Sequence, residues 1–466
     1  MGQVSIWPDT HPHPSPPLEG EGIFRIFRES ACTATGQAQS NVNLLIYANT
    51  CVSLKPSMSS PSKMSPQELR ASISLAGVFA LRMLGLFIIL PVFSLYAIGL
   101  VGGQSHLLVG IALGAYGITQ AILQIPFGWL SDKYGRKPVI YFGLILFAIG
   151  SFVAASADNI YLVIVGRLIQ GAGAISAVVQ ALAADLTRSE HRTKAMAIIG
   201  ATIGVSFALS IVLGPVLNQW IGVPGIFVIT GVLALLAIIV VAKAVPNERI
   251  ADDANPRRVD KQLLGPVMRD GQLLRLNFGV FVLHAGMTAL FIVTPLMLKQ
   301  SGLVAEQHWK VYLPVVLLSF VLMLPAVMRG DRHGADKRIF VIAIGVLAAG
   351  FLVLAGAGQN LWPLCLGLLI FFTAFNILEA SLPAWISKLA TAQNRGTALS
   401  VHSIFQFLGP AFGGYASGWL LDHAGSAAVY VFCAALAILW WLVALPLQSL
   451  PHDKKDGETI EVMERS

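Results

Sequence analysis

Residues Gly128–Lys137 read GWLSDKYGRK, and they stand between two long apolar runs. In a chain with only 12% charged residues, this decapeptide gathers Asp132, Lys133, Arg136 and Lys137. Charges packed between greasy runs mark a short aqueous loop between two membrane crossings.

Working outward, the whole chain fits that reading. Of its 466 residues, 55% are apolar, more than a soluble core needs. Runs of about 20 apolar residues, each able to cross about 30 Å of hydrocarbon as a helix, recur at 71–99, 106–130, 138–157, 159–184, 195–217, 222–244, 276–298, 309–328, 339–357, 361–386, 397–421 and 426–447. That even number of spans puts both termini on one side. The lipid bilayer is the first partner implied.

The positions of the basic residues decide what the net charge of +7 means. Of 31 lysines and arginines, all but Arg82, Arg167, Lys299 and Lys310 fall before the first span, in alternate loops or in the tail, on a single side. That asymmetry is the positive-inside pattern. It predicts cytoplasmic termini and the inner membrane of a bacterial cell, and it argues against nucleic acid as a partner. Cys32 and Cys51 precede the spans while Cys365 and Cys433 lie within them, so neither a disulfide framework nor a metal site is expected.

The domain plan follows from composition. Residues 1–70 form a disordered or mis-called N-terminal extension: it opens with the Pro/Gly-rich HPHPSPPLEGEG, has no signal-peptide pattern, and offers Met58 or Met64 as alternative starts. A six-span bundle at 71–244 and another at 276–447 are separated by a basic, proline-bearing linker at 245–275, and 448–466 is a tail. Three internal matches point to duplication: FIILPVF at 87–93 with FIVTPLM at 291–297, SDKYGRK at 131 with GDRHGADK at 330, and LGP at 213–215 with LGP at 408–410. Two bundles related by an axis along the membrane normal would produce them.

Within the decapeptide, the charges by themselves suit any tight cytoplasmic turn. The spacing adds more. Gly128 permits close approach of another helix, Gly135 permits a tight reversal, Asp132 can face a helix N-terminus, and Arg136 can hold a second acid.

Gly128, Leu130, Asp132, Gly135, Arg136 and Lys137 match G-x-L-x-D-x-x-G-R-K, so the chain resembles the major facilitator superfamily from about 70 to 447. LRMLGLFIILPV, GRLIQGAGA, DLTRSEHRTKAMA, LNFGVFVLHAG, FFTAFNILEASLP and FQFLGPAFGG narrow the resemblance to twelve-span drug:proton antiporters, nearest the YajR group. The resemblance implies an all-α membrane protein of twelve helices in two pseudo-symmetric bundles. It also implies that Asp132, Arg136 and Asp185 form an ionic latch that shuts the halves on the cytoplasmic side. Two departures stand out. The chain stops soon after the last span, where YajR-type proteins carry a soluble domain, and the span-5 antiporter signature keeps Gly214-Pro215 but has Ser210 and Asn218-Gln219 in place of glycines. Span 11 holds the fuller version in Gly409, Pro410, Gly413 and Gly414.

Ionisable residues inside a span cost about 2.5–3.5 kcal/mol and default to functional hypotheses. Arg82, Arg167, His284 and Glu379 are the candidates, in spans 1, 4, 7 and 10, which line the central cavity in the resembled fold. Glu379 is the proton-carrier candidate because burial favours its neutral form. His284 could share its level or be a packing histidine. Arg167, with Gln170 and Gly171, resembles the span-4 motif proposed to aid proton movement. Arg82 could bind an anion, pair with a distant acid or snorkel. Gln120 and Gln124 could face the cavity or bridge helices, and Gln170 is a further cavity candidate. Asn376 could orient Glu379 or join two helices, and Phe87, Phe291 and Phe375 could offer aromatic contact or simply pack.

No P-loop, nucleophile elbow or metal cluster is present in the sequence, so an enzyme is not expected. A cofactor is not expected either, and transport must draw on an ion gradient. The expected function is proton-coupled efflux of small amphipathic molecules or drugs by alternating access, by a monomer. The alternative is an uptake symporter or facilitator for a nutrient or organic anion. A non-transporting receptor is the third class.

Overall fold

The computed structural model describes residues 64–246, 261–333, 336–391 and 393–448. Of the sequence expectations, the extension up to residue 63, linker residues 247–260 and the tail from 449 lie outside these. Within the described residues the chain is helical, apart from an isolated bridge between Val101 and Asn159.

The first half is built from α1 (Pro66–Phe87), α2 (Leu90–Ala97), α3 (His106–Tyr134), α4 (Arg136–Ala155), α5 (Ile160–Ala172), α6 (Ser176–Asp185) and α7 (Arg192–Ala244). After α8 (Lys261–Arg269), the second half comprises α9 (Gly271–Gln300), α10 (Trp309–His333), α11 (Asp336–Gly356), α12 (Leu361–Leu389) and α13 (Arg395–Ala444). Local chemistry sets several starts. Ser65 and Glu68 close a reciprocal capping box on α1, with Pro66 in its first turn. Asp270 accepts the N–H groups of Gln272 and Leu273 at 2.8 and 3.2 Å, so α9 begins at Gly271 rather than at 276. The expected loop 245–275 therefore holds a short helix and the first turn of α9.

Among the described residues, ten helical segments are long and apolar enough to cross a membrane. Two of them, of 51 and 50 residues, would each run about 75 Å if straight, more than twice the hydrocarbon thickness. Neither is straight, because Gly222 (φ 66°) and Gly425 (φ 79°) take left-handed backbone inside α7 and α13. The packing shows the consequence. Ser210 Oγ donates to Leu84 O at 3.1 Å, and a Cβ on neighbouring Gly85 would meet Thr230. Residues 210 and 230 both touch the same turn of α1, so α7 doubles back at Gly222. Likewise Gly409 lies against Phe281 and Trp440 against Gly279, so α13 doubles back at Gly425. Read as hairpins, α7 and α13 each supply two arms.

A further difference concerns the expected span 159–184. It is interrupted at 173–175, where Gly173 (ψ 53°) presses on the carbonyl of Gly143 too closely for any side chain. The small residues of GAGA let α4 approach, at the expense of helical continuity.

The halves meet unevenly. The buried core of the second half runs on into Ile88, Phe93, Leu113, Phe207 and Phe227 of the first half. Leu75, Phe79, Val139, Leu182 and Val241, nearer the face carrying the GWLSDKYGRK loop (the basic face), form a separate core. At the opposite face the halves are pinned. Gly110 and Gly414 are so close that a Cβ on either would overlap the other's carbonyl, and Gly418 sits likewise on His106. Ser94 Oγ donates to Phe291 O at 3.0 Å, and Gln219 Nε2 to Glu306 O at 2.9 Å.

Candidate functional site

Three helices of the second half converge on a polar cluster near the bilayer middle. His284 of α9 is 7% exposed, and its Nδ1 lies 3.0 Å from Val280 O one turn earlier. With the Nδ1 hydrogen assigned to that carbonyl, Nε2 is left as an acceptor. Nε2 faces Glu379 Oε2 of α12 at 3.6 Å and Gln406 Nε2 of α13 at 3.1 Å. Gln406 Nε2 also donates to Glu379 Oε1 at 3.0 Å. One amide thus serves both titratable groups, and a carboxyl proton on Oε2 would point towards the imidazole. Glu379 keeps 32% of its side chain exposed, whereas His284 keeps 9%. His402, one turn before Gln406, is buried at 5%.

An aromatic layer lies on the far side of this cluster from the basic face. Phe207 of the first half packs within 5.2 Å of Phe87 and 5.8 Å of Phe375, and contacts Phe291 and Phe372 (centroids 6.3 and 6.2 Å). Phe375 also touches the His284 ring at 5.9 Å. The layer joins the two halves, and the acid–imidazole pair lies beneath it on the basic-face side.

The first half holds a second buried polar network. Arg82 of α1 donates to Ser176 Oγ at 2.5 Å, and to Tyr116 Oη and Gln120 Oε1, each at 2.6 Å. Gln120 continues to Gln124 at 3.0 Å. Arg167 of α5 donates to Gln170 Oε1 at 2.9 Å and stacks over Tyr116 at 5.1 Å, while Gln170 donates to Ser151 at 2.7 Å. Arg82 and Arg167 are 3% and 2% exposed, and the hydrogen bonds described for them reach no carboxylate. Gln120 and Gln170 therefore bridge helices inside this network, and Gln124 bonds to Gln120 along the same helix. Asn376 likewise joins helices, donating to Ser319 of α10 at 3.0 Å and not to Glu379.

At the basic face, Asp132 and Arg136 pair at 2.5 Å, and Arg136 Nε reaches Asp185 at 3.1 Å. The triad expected from the sequence does assemble, but these contacts tie α3 to α6 within the first half and do not reach the second. Lys137 Nζ donates to Val245 O at 2.7 Å, anchoring the loop to the end of α7. Gly135 (φ 91°) makes the reversal between α3 and α4. The close helix approach expected at Gly128 is not present, since a Cβ there would meet open space.

The proline–glycine motifs serve packing. Gly214 abuts Ile88 at the break between α1 and α2, Gly409 and Gly413 abut Phe281 and Ala285 of α9, and Gly414 abuts Gly110, with Pro215 and Pro410 inside their helices. Ser210, which departs from the glycine pattern, replaces close approach with its hydrogen bond to α1.

Sequence reasoning missed Gln406, His402, Phe207, Tyr116 and Ser176. The signal for Gln406 and His402 was available: two polar residues one helical turn apart in an apolar span. Phe207 carried none, being one phenylalanine among 24.

Comparison with known proteins agrees with this architecture. The model of the Major Facilitator Superfamily matches residues 75–326 and 276–461. The inner membrane transport protein YajR of Escherichia coli is 42% identical over 84% of this chain and 86% of its own length. The quinolone resistance protein NorA of Staphylococcus aureus is 24% identical over 75% of this chain and 90% of its own. Among solved structures, that of a D-xylose-proton symporter superposes with a TM-score of 0.67 at 18% identity, covering 82% of this chain and 98% of that one. Helices of membrane length, a two-part core pinned at one face, and a family model covering nearly all the described helices together make this chain a multi-pass secondary transporter, not an enzyme, that belongs to the major facilitator superfamily.

Proposed function

We propose that the chain exports a small amphipathic molecule in exchange for protons, from the cytoplasm across the inner membrane. The carrying observation is the Glu379–His284 pair joined by Gln406 beneath an aromatic layer. An acid with a partly open side chain at that depth has no packing role that glutamine would not fill more cheaply. Glu379 gives up its proton towards the basic face when cargo enters, with His284 Nε2 within reach as a relay. It regains a proton after the halves rock and the opposite face opens. The phenylalanines supply apolar contact for the cargo. The name of NorA, a quinolone resistance protein, supports a drug-like cargo, and that of YajR supports the inner membrane. The one-sided basic residues support cytoplasmic termini, with the basic face inward. The proton gradient is the energy source, and a monomer contains the whole pathway.

The test is transport in proteoliposomes under an imposed pH gradient. Glu379→Gln is expected to abolish gradient-driven flux while exchange of labelled for unlabelled cargo persists. Equal gradient-driven flux in the variant would remove Glu379 from the mechanism.

A second reading is favoured by one observation. Arg82 and Arg167 are buried without an acid among their described hydrogen-bond partners, and uncompensated cations in a low dielectric attract an anion. An organic anion taken up beside α1, α3 and α5 would supply that charge. Saturable inward flux of anions in the same liposomes, lost in Arg82→Gln, would replace export with uptake.

A further inference from the structure

The polar cluster of Glu379, His284 and Gln406 has a continuation between two helices. α9 and the first arm of α13 both start at the basic face and run side by side, with Gly409 against Phe281 and His284, and Gly413 against Ala285. Those contacts fix their register. On α9, Asn277 lies two helical turns before His284; on α13, His402 lies two turns before Gly409 and one before Gln406. Asn277 and His402 therefore stand at about the same level, on the stripes by which the two helices meet. At 1.5 Å per residue that level is about 10 Å from His284 along the helix, roughly halfway to the start of α9 at Gly271.

Both side chains are shut in and unmatched. Asn277 is 1% exposed and His402 5%. Among the described residues, neither Oδ1 nor Nδ2 of Asn277 has a hydrogen-bond partner, and Nδ1 of His402 has none. Their neighbours along the two helices, Leu276, Val280, Ala398 and Val401, are buried and apolar. Orphaned polar atoms in such a place are costly unless something small bonds to them. Asn277 offers donors and an acceptor and His402 a further ring nitrogen, a mixture that suits water, which both gives and takes hydrogen bonds. A charge on His284 is felt at His402, so the site is electrically continuous with the cluster.

We propose that Asn277 and His402 hold a chain of buried water that forms a second proton route, reaching His284 from the basic face behind the cavity. That role rests on the proton-coupled reading above. Glu379 keeps part of its side chain open to the cavity, and cargo lying there closes the direct way out. The O–H bond at Glu379 Oε2 then breaks as an N–H bond forms at His284 Nε2, and the proton passes through the ordered water and past His402 to the basic face. The titratable side chains along this route are Glu379 on α12, His284 on α9 and His402 on α13, while Arg275, Lys388 and Arg395 lie nearer the basic face. Cargo and proton can thus exchange without the cavity first emptying.

The test uses the full chain in lipid bilayers with isotope-labelled histidine. Magic-angle-spinning NMR reads how fast magnetisation passes from water to each imidazole. His402, assigned by the loss of its signals in His402→Gln, is expected to build up within about twofold of exposed His423, and not at the slow rate of His308, which is 1% exposed and bonded to Leu303 O. The route itself is read at His284 in a Glu379→Gln background, which removes the path through the carboxyl. Hydrogen exchange of the His284 ring N–H should fall about tenfold when Asn277→Leu is added. Should Asn277→Leu fail to accumulate as folded protein, His402→Phe blocks the same level and carries the same expectation. A His402 build-up as slow as that of His308, or unchanged exchange at His284 in the folded double variant, would overturn the proposal. Neither measurement uses cargo, so failure here leaves the export reading standing, and failure of export in liposomes leaves the water site standing.

Discussion

His284 Nε2 and Glu379 Oε2 lie 3.6 Å apart although α9 and α12 carry them, and Gln406 from α13 bonds to both. Three spans are thereby joined at one titratable point, and a change of protonation there is felt by the packing of the entire second half. Under the proposed export reading, this is where a proton would be linked to a rocking bundle.

Gln406 is therefore expected to matter as much as the residues it bridges. Gln406→Leu removes the shared donor and leaves a buried imidazole acceptor without it, costing about 1–3 kcal/mol. Gradient-driven transport should fall by about tenfold or more, read as initial rates in proteoliposomes, with surface expression unchanged.

Closure at the opposite face rests on backbone touching backbone. Gly414→Ala places a methyl on the carbonyl of Gly110 and must push α13 from α3. A loss of about 1–3 kcal/mol is expected, seen as a lower melting temperature in detergent. Gly128→Ala, which meets open space in this structure, should melt close to the parent.

The Arg82 network depends on the planar fork of its guanidinium, which reaches Ser176, Tyr116 and Gln120 together. Lysine is a point donor that cannot hold all three. Arg82→Lys should lower stability by about 1–3 kcal/mol, and adding Tyr116→Phe to it should cost less than in the parent. A double-mutant cycle on thermal unfolding checks the coupling.

The reversal of α7 depends on a left-handed residue. Gly222→Ala should destabilise by about 1–2 kcal/mol, whereas Gly200→Ala, in the same helix with space around it, should be neutral or stabilising. Equal melting temperatures for the two would remove Gly222 from its role as hinge.

Much of this molecule could be read along the chain. The spans, the sidedness of the basic loops, and the Asp132–Arg136 pair at one helical turn depend on composition or on spacing of a few residues, and these are local. Asp185 was within reach because its motif has a known companion. The break at Gly173 was not, since only the arrival of Gly143 shows why the helix gives way there. The four glutamine and asparagine candidates of the spans, Gln120, Gln124, Gln170 and Asn376, were candidates both for cavity lining and for joining helices. Polarity in an apolar run does not tell whether a side chain faces a substrate or another helix, and most of those described here chose the helix.

By itself, then, the amino-acid order determined the solvent, the helices and the family, because hydrophobic length and charge sidedness act on each segment before any two segments meet. Only the folded chain decided which residues are partners: Gln406 between His284 and Glu379, Phe207 between the halves, Asp422 on the start of α3. Such contacts join positions far apart in sequence, and their energy comes from desolvated geometry that no local pattern encodes.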